Sequence, residues 1–471
     1  MENSIQMSLI LRLVPYSQLI KNMLNRCVFL LLFCLHLCIG MASAQAIYDS
    51  KDSNINALFK NGKAKYLISF HHVFEDTLRL PDGCELAFEG GSLSGPIVMN
   101  KTKLSGRVNL KGASLSGSVS NSQFDASWLC AMDGVTDDAK SINEMIEVCG
   151  KVFFPRGTYR LISRYNPKGK VPKKLYKAIK THIGICSSDV ELIGEDGTNF
   201  VTDDSLSTIC LFSKPKQIAK SIRNIKIKNI TFNVHNDGVN FHEFLHTIKT
   251  IGVNGLEIEY CTFNDFWGDA ICLSHYGDNP RTGERTLNQN VRIVGNTING
   301  DSHNNRNAIS VISGKNVLIK NNTIKNTSRR DMPGGIDVEP NNSAYTIDNI
   351  RIENNHIEGS YGKGIMVLAR KEARVHHVEI LSNEIKNCGK CGIFVGVATD
   401  NTSDSIIIKQ NHVHADTRPY QFYGKGKSKN WIVSDNIFEL PLRQSIPGDI
   451  QVENLTVANN KKKSDRIPYF L

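Results

Sequence analysis

Long apolar runs are rare in this sequence. The longest, CVFLLLFCLHLCIG, follows Arg26 and ends before the small residues Ala42, Ser43 and Ala44. It is too short to span a membrane, and its basic start and small-residue end are typical of a cleaved signal peptide. We therefore expect residues 1–44 to be removed and the rest of the chain to be exported, without membrane insertion, to the periplasm, the cell surface or the medium.

Regular pairs of cysteines are also lacking. Nine of the twelve cysteines lie beyond residue 44, and their odd number and scattered positions do not indicate a disulfide framework. Cys388 and Cys391 form one C-x-x-C, but a zinc site of this type needs a second pair and a redox motif needs a strand-to-helix junction. We interpret the two as core residues, with one local disulfide as the alternative, and predict no metal site.

Helical periodicity is missing from most of the chain, and strand-like alternation takes its place. The phrase NIKIKNITF, which begins at Asn224, recurs with variations roughly every 25 to 35 residues up to about residue 460. A second apolar phrase lies between the copies, such as DAICL from Asp269 and GGIDV from Gly334. Two strands per period with no helix between them exclude an α/β unit. They predict an all-β fold, a right-handed parallel β-helix, over residues 127–471.

Aligning the first phrase predicts a column of stacked side chains. Asparagine tolerates left-handed backbone conformations, and its amide can hydrogen-bond to the turns above and below. We therefore interpret the column as a structural ladder; its members are Cys261, Asn296, Asn322, Asn355, Asn383, Asn411, Asn436 and Asn460.

The part of the chain before the repeats has three segments. Residues 45–126 are rich in glycine and serine and predict a small β module or the narrow first turns of the solenoid, with an independent binding module as the alternative. Residues 133–159 predict a short helix that Gly150 ends, with Asp133, Asp137 and Asp138 in turns and caps. Residues 165–180 are a basic loop, either solvated or a flap that binds a polyanion.

The segment DGVTDDAKSINEMIEVCGKVFFPRGTY resembles the opening of the pectate-lyase-like family. That family includes rhamnogalacturonases and epimerases, and in it a D-G-x-x-D-D helix and an F-P-x-G-x-Y strand begin the β-helix. The resemblance implies the fold and not a reaction. Asp269-Ala270-Ile271 is also similar to one step of the polygalacturonase family, but residues 306–310 (RNAIS) lack the pair of aspartates that follows there.

The second phrase supplies the candidate catalytic carboxylates. Aligned on its isoleucine, it predicts that Ile271, Ile309, Ile336, Ile365 and Ile393 point inward. Asp337 and Glu339 then share one exposed face, roughly 6.5 to 7 Å apart along the strand. Asp269 lies two turns earlier, on the order of 10 Å away. Such separations suit inverting glycoside hydrolysis, so we predict Asp269, Asp337 and Glu339 as acid and base residues, unless Asp337 and Glu339 serve only a turn.

Five flanking residues are candidates for substrate binding. A guanidinium pairs well with a sugar carboxylate, and an aromatic ring can stack on a sugar face. The candidates are Arg306, Asn307, His246, His275 and Trp267. Each residue alone is a weak indication, because a lone exposed histidine is more often part of a neutral surface.

Three functions remain open at this point. The first is a glycoside hydrolase that needs no cofactor. The second is a polysaccharide lyase whose base is Arg306, Lys249 or a histidine and whose Asp337 and Glu339 hold Ca²⁺. The third is a non-catalytic glycan-binding or tailspike-like protein. Removal of residues 1–44 changes the formal net charge from +10 to +8, which suits an acidic polysaccharide, or reflects a generally basic surface. No nucleic-acid partner is expected.

Overall fold

The computed structural model describes residues 45–46, 55–166, 180–202, 206–212, 221–236, 241–275, 287–300, 304–414, 417–439 and 450–463 of the chain. The expected signal peptide and most of the basic loop at residues 165–180 lie outside these ranges. The chain divides into two compact units, residues 1–109 and 110–471. Within the described ranges, no helix has the length and apolar character that a membrane crossing requires.

The first unit consists of short strands that pair in parallel. Parallel neighbours need a crossover connection, so this pairing is that of coiled turns and not of hairpins. Tyr66, Leu86 and Leu104 are stacked on one another and buried. The elements are a 3₁₀ turn at Ile55–Ala57 and strands β1 Gln45–Ala46, β2 Lys65–Ile68, β3 His71–Val73, β4 Leu78–Arg79, β5 Glu85–Phe88, β6 Ser92–Ser94 and β7 Pro96–Gly106.

The second unit is an all-β right-handed parallel β-helix. In the described residues its strands form three parallel sheets, and a typical turn adds one strand to each. Sheet 1 contains β13 Thr181–Ile185, β16 Ser207–Phe212, β19 Ile248–Ile251, β22 Ile271–Ser274, β25 Ile309–Val311, β28 Gly334–Val338, β31 Lys363–Ala369, β34 Cys391–Val397 and β37 Tyr420–Tyr423.

Sheets 2 and 3 follow sheet 1 within each turn. Sheet 2 contains β9 Phe124–Asp125, β11 Lys151–Phe154, β14 Val190–Gly194, β17 Ile222–Lys228, β20 Val253–Glu259, β23 Asn288–Val294, β26 Gly314–Lys320, β29 Thr346–Glu353, β32 Arg374–Leu381, β35 Thr402–Lys409, β38 Lys427–Ser434 and β40 Val452–Ala458. Sheet 3 contains β10 Asp133–Asp137, β12 Gly157–Arg160, β15 Thr198–Thr202, β18 Thr231–Val234, β21 Thr262–Asn264, β24 Thr297–Asn299, β27 Thr323–Lys325, β30 His356–Glu358, β33 Glu384–Lys386, β36 His412–His414, β39 Ile437–Glu439 and β41 Lys461–Lys463. Strand β8 is Ser114–Val119, and a 3₁₀ turn covers Ala126–Trp128.

The core is a set of apolar columns that run along the stack. In sheet 1 the isoleucines Ile271, Ile309, Ile336, Ile365 and Ile393 are successive partners, and all are fully buried. Each turn alone would leave its apolar face in water, so burial is reached only by stacking. The predicted inward positions are therefore confirmed.

All nine cysteines among the described residues are free thiols. Cys388 and Cys391 are both buried, and burial raises the pKa of the Cys391 thiol to about 12. The interpretation of this pair as core residues is confirmed over a local disulfide.

The helix α1, Ala139–Val148, confirms the predicted helix, and it buries Ile142, Met145 and Ile146. Gly150 follows it with a φ of +78°, a conformation that glycine adopts at little cost. One detail differs from the prediction. The Asp138 carboxylate makes no helix-capping bond and instead accepts the backbone N–H groups of Ala131 and Met132, 2.7 and 3.1 Å away.

The hydrogen bonds of the asparagine ladder are confirmed, but the left-handed backbone conformation falls on the residue before each member, as at Asn354 with a φ of +54°. Asn355 is representative: its Oδ1 accepts the backbone N–H and the Nδ2 of Asn322, 3.0 and 2.9 Å away. Its own Nδ2 donates to the Ile319 carbonyl and to Asn383 Oδ1. Asn355 is buried, so its amide satisfies backbone groups that water cannot reach.

Replacing Asn355 by alanine is expected to cost about 3 kcal/mol of unfolding free energy, because it leaves the amide groups of Asn322 and the Ile319 carbonyl unsatisfied in the interior. Urea denaturation measures the loss. Asn316→Gly is the matched control, since Asn316 belongs to an exposed ladder and glycine tolerates its φ of +54°. Equal losses of unfolding free energy in the two variants would show that burial of the Asn355 ladder does not contribute to stability.

Candidate active site

The side chains of interest lie on the outer face of sheet 1, where three consecutive turns meet. Asp269 and Arg306 lie in the segments that lead into β22 and β25, and Asp337 lies within β28. Arg306 Nη1 is 3.0 Å from Asp269 Oδ2, and Nη2 is 3.5 Å from Asp337 Oδ2. Stacking of the turns therefore brings the two predicted aspartates to opposite sides of one guanidinium group.

The expected exposure of this face is wrong. Asp337 is 0% exposed and Glu339 is 3% exposed. Glu339 is covered by its ion pair with Arg370, and Tyr345 packs on Cys272 and Ile312 of the same face. Strand alternation correctly placed these side chains outside the core, but it does not reveal whether loops and long side chains cover them.

Asn307 fixes the positions of both carboxylates. Its backbone N–H donates to Asp269 Oδ1 at 3.1 Å, and its Nδ2 donates to Asp337 Oδ2 at 3.1 Å and to Ser310 Oγ at 3.0 Å. Its Oδ1 accepts the Gly334 N–H at 3.0 Å. The predicted contact of Asn307 with substrate is not supported, because its amide is fully buried and its hydrogen bonds are made within the protein.

The two aspartates have pKa values shifted in opposite directions. Burial favours the neutral form of Asp269, but Arg306 and His246 outweigh it and lower the pKa to about 2. Burial also acts on Asp337, where it exceeds the effect of Arg306, and together with the negative charge of Asp269 it raises the pKa to about 6. Asp337 Oδ1 is buried without a hydrogen-bond partner, which is consistent with a carboxyl group that carries a proton.

Of the other predicted binding residues, His246 and Trp267 are buried and His275 is half-buried. His246 Nδ1 lies 3.0 Å from the backbone nitrogen and 3.3 Å from Oδ2 of Asp269, and burial lowers the pKa of the ring. Trp267 is 5% exposed and packs edge-on against His242, which leaves little ring face for a sugar. His275 lies against the Tyr345 ring, with centroids 3.9 Å apart.

Two cations near the carboxylates were missed by the sequence reasoning. Burial and the nearby Lys390 lower the pKa of Lys363, whose Nζ lies 5.0 Å from the centre of the Phe394 ring. Arg370 pairs with Glu339. The sequence contained an indication of Lys363. Alignment of GGIDV with KGIMV pairs Lys363 with Gly334 and so places it one turn from Asp337.

His246, Asp269 and Cys272 offer ligand atoms within 4.8 Å of one another, and these are residue types that Zn²⁺ accepts. Hydrogen bonds already occupy part of this set: His246 Nδ1 accepts the Asp269 N–H, and each oxygen of Asp269 accepts one bond, from Asn307 or from Arg306. The guanidinium of Arg306 also places a positive charge 3.0 Å from the Asp269 carboxylate. A cation bound there would be repelled by this charge, so the three residues are not a favourable cation site.

Residues 218–441 match the family model of the right-handed β-helix region, which agrees with the fold. No curated protein matches the sequence significantly.

Several solved structures are similar in fold. One is the tailspike protein of Acinetobacter baumannii phage AM24, with 14% identity and a TM-score of 0.49; the match covers 73% of this chain and 55% of the tailspike. A second is the A-module of a mannuronan C-5 epimerase of Azotobacter vinelandii, with 14% identity, a TM-score of 0.37, and coverage of 73% and 100%. A third is the catalytic unit of an α-1,3-glucanase of Streptomyces thermodiastaticus, with 10% identity, a TM-score of 0.37, and coverage of 90% and 69%. The chain thus spans about half the length of the tailspike.

Proposed function

We propose that the protein is an exported glycoside hydrolase that cleaves an acidic polysaccharide. One observation carries the proposal: Asp269 and Asp337 share the guanidinium of Arg306, yet their pKa values are about 2 and about 6. A carboxyl group that its surroundings keep protonated, beside a carboxylate that stays ionised, is what a glycosidase needs in its general acid.

Asp337 is the general acid of the proposed reaction. Its proton passes to the leaving glycosidic oxygen as the bond between that oxygen and the anomeric carbon breaks. Glu339 is the base and takes a proton from the water that attacks the anomeric carbon. Glu339 lies one residue beyond the end of β28, and an extended spacing of two residues, roughly 6.5 to 7 Å, lies within the carboxylate separation of inverting enzymes. Asp269 accepts hydrogen bonds at both oxygens and is a weak base, so it holds Arg306 in place.

The cations around the carboxyl groups support an acidic substrate. Arg306 and Arg370 are paired with protein carboxylates, and Lys249 and Lys363 lie on the same outer face. A sugar carboxylate can compete for the exposed part of these groups. Such competition would draw the long side chains of Arg306 and Arg370 away from Asp337 and Glu339 and give the glycan access to them.

One observation favours a polysaccharide lyase as the second candidate. The pKa of Lys363 is lowered by burial, and a lysine of this kind can accept the proton next to a uronate carboxylate. Asp337 and Glu339 would then hold Ca²⁺. Arg306 is unsuited as the base, because Asp269 and Asp337 outweigh its burial and raise its pKa further.

The two reactions give different products from pectins, alginate and glycosaminoglycans. We expect the purified protein to release reducing ends without ultraviolet-absorbing unsaturated sugars, and to do so equally with and without a chelator. Unsaturated product that disappears with chelator or in Lys363→Met would establish the lyase instead. Binding without any product would establish a non-catalytic glycan-binding protein.

A further inference from the structure

A second feature lies beside the carboxylate cluster, at the corner where sheet 1 passes into sheet 2. It is an open groove with a volume of about 1130 Å³. Its lining comes from the ends of β29, β32, β35 and β38 and from the loops that precede them. Four adjacent parallel strands span roughly 14 Å, which accommodates a short chain of sugar units.

The groove presents both hydrogen-bond donors and hydrogen-bond acceptors. Arg374 and Lys427 are exposed cations on either side of Thr402 in one column, roughly 10 Å apart. Glu372 and Asp400 are exposed carboxylates in the preceding loops. Donors and acceptors therefore lie within one wall of the same cavity.

This composition discriminates between classes of ligand. The lining carries three carboxylates, Asp348, Glu372 and Asp400, and three cations, Arg374, Lys425 and Lys427, so these charges cancel and favour neither a polyanion nor a metal cation. A sugar hydroxyl both donates and accepts a hydrogen bond, so a polyhydroxylated chain can use both kinds of group.

The groove shares a residue with the packing around the candidate active site. Tyr345 lines the groove and also packs on Cys272 and Ile312 of the outer face of sheet 1. A chain bound in the groove would lie next to the loop that connects β28, the strand of Asp337, with β29. The position suits a site that holds part of a polysaccharide during cleavage.

We propose that this groove is a second carbohydrate-binding site and that it binds an uncharged segment of a glycan. The proposal rests on the proposed function only in taking a carbohydrate as the ligand. It requires no chemistry at Asp337, so binding can be measured in the absence of turnover.

Affinity electrophoresis of the Asp337→Asn protein, with the wild type in parallel, tests the groove. The gels contain galactomannan, xyloglucan, arabinogalactan or a mixed-linkage β-glucan, and polygalacturonate serves as the acidic comparison. We expect at least one neutral polysaccharide to retard the protein. The double substitution Glu372→Ala with Arg374→Ala is expected to weaken that retardation at least tenfold.

Lys325→Ala is the matched control, since Lys325 is exposed on β27 of sheet 3 and does not line the groove. Circular dichroism of each variant verifies the fold. Retardation by polygalacturonate alone, by none of the neutral polysaccharides, or equally in the double variant would overturn the proposal. Each of these outcomes leaves cleavage by the wild type unaffected, so the two proposals can fail separately.

Discussion

Asp337→Asn is expected to lower the rate of polysaccharide cleavage by about 10²- to 10⁴-fold, the usual contribution of a general acid, while the protein remains folded. Asparagine keeps the shape and the bond to Asn307 but has no proton of the required acidity. Initial rates of reducing-end release measure the effect. Asp196→Asn, at a fully exposed carboxylate, is the control. Full activity of Asp337→Asn would remove Asp337 from the mechanism.

The same variant has an expected signature in stability. The folded-state pKa of Asp337, about 6, lies above the ordinary value of 3.8, so the folded protein binds the extra proton between these values. The contribution of protonated Asp337 to the free energy of unfolding is fully present below about pH 4. It is lost as the pH rises through 6, by on the order of 2 to 3 kcal/mol. We expect the unfolding free energy of Asp337→Asn, measured by urea denaturation at pH 4 and at pH 7, not to show this decrease. Parallel pH profiles for the two proteins would contradict the raised pKa.

Arg306→Met is expected to cost about 3 to 5 kcal/mol of unfolding free energy at pH 7, because Asp269 and Asp337 then remain buried without their shared cation. The loss is expected to shrink near pH 4, where protonation of the carboxyl groups relieves the uncompensated charge. Urea denaturation at both pH values measures it.

Arg292→Met is the control for this substitution. Arg292 pairs with Glu259 at 3.3 Å but is half exposed, and removal of such a pair is expected to cost less than about 1 kcal/mol. A similar cost for the two variants would show that Arg306 does not compensate the buried carboxylates.

The fold was predictable because its signals are local and repeated. Alternation identifies the inward side of a strand, and the recurring phrases fix which residues stack, so the columns of Ile336 and of Asn355 followed from the sequence alone. The cover over the outer face was not predictable in this way. It depends on Tyr345 and Arg370, which belong to loops whose path no periodicity describes.

The candidate site was predictable to the same extent. Stacking placed Asp269 near Asp337, but the sequence could not indicate that Arg306 would pair with both of these carboxylates. Lys363 was missed because a lysine at the start of a strand usually lies in solvent. Its lowered pKa arises from burial by distant parts of the chain.

The asparagine ladder has a consequence for how the length of such a chain can change. One residue inserted within a strand would reverse the inward and outward sides of everything after it and break the amide contacts of Asn322 and Asn355 with their neighbours. An insertion in a corner loop leaves the inward and outward sides and the amide contacts unchanged. The gain or loss of a complete coil also leaves them unchanged. Natural relatives are therefore expected to differ by loop extensions and by whole coils, and artificial ones can be lengthened in the same increments.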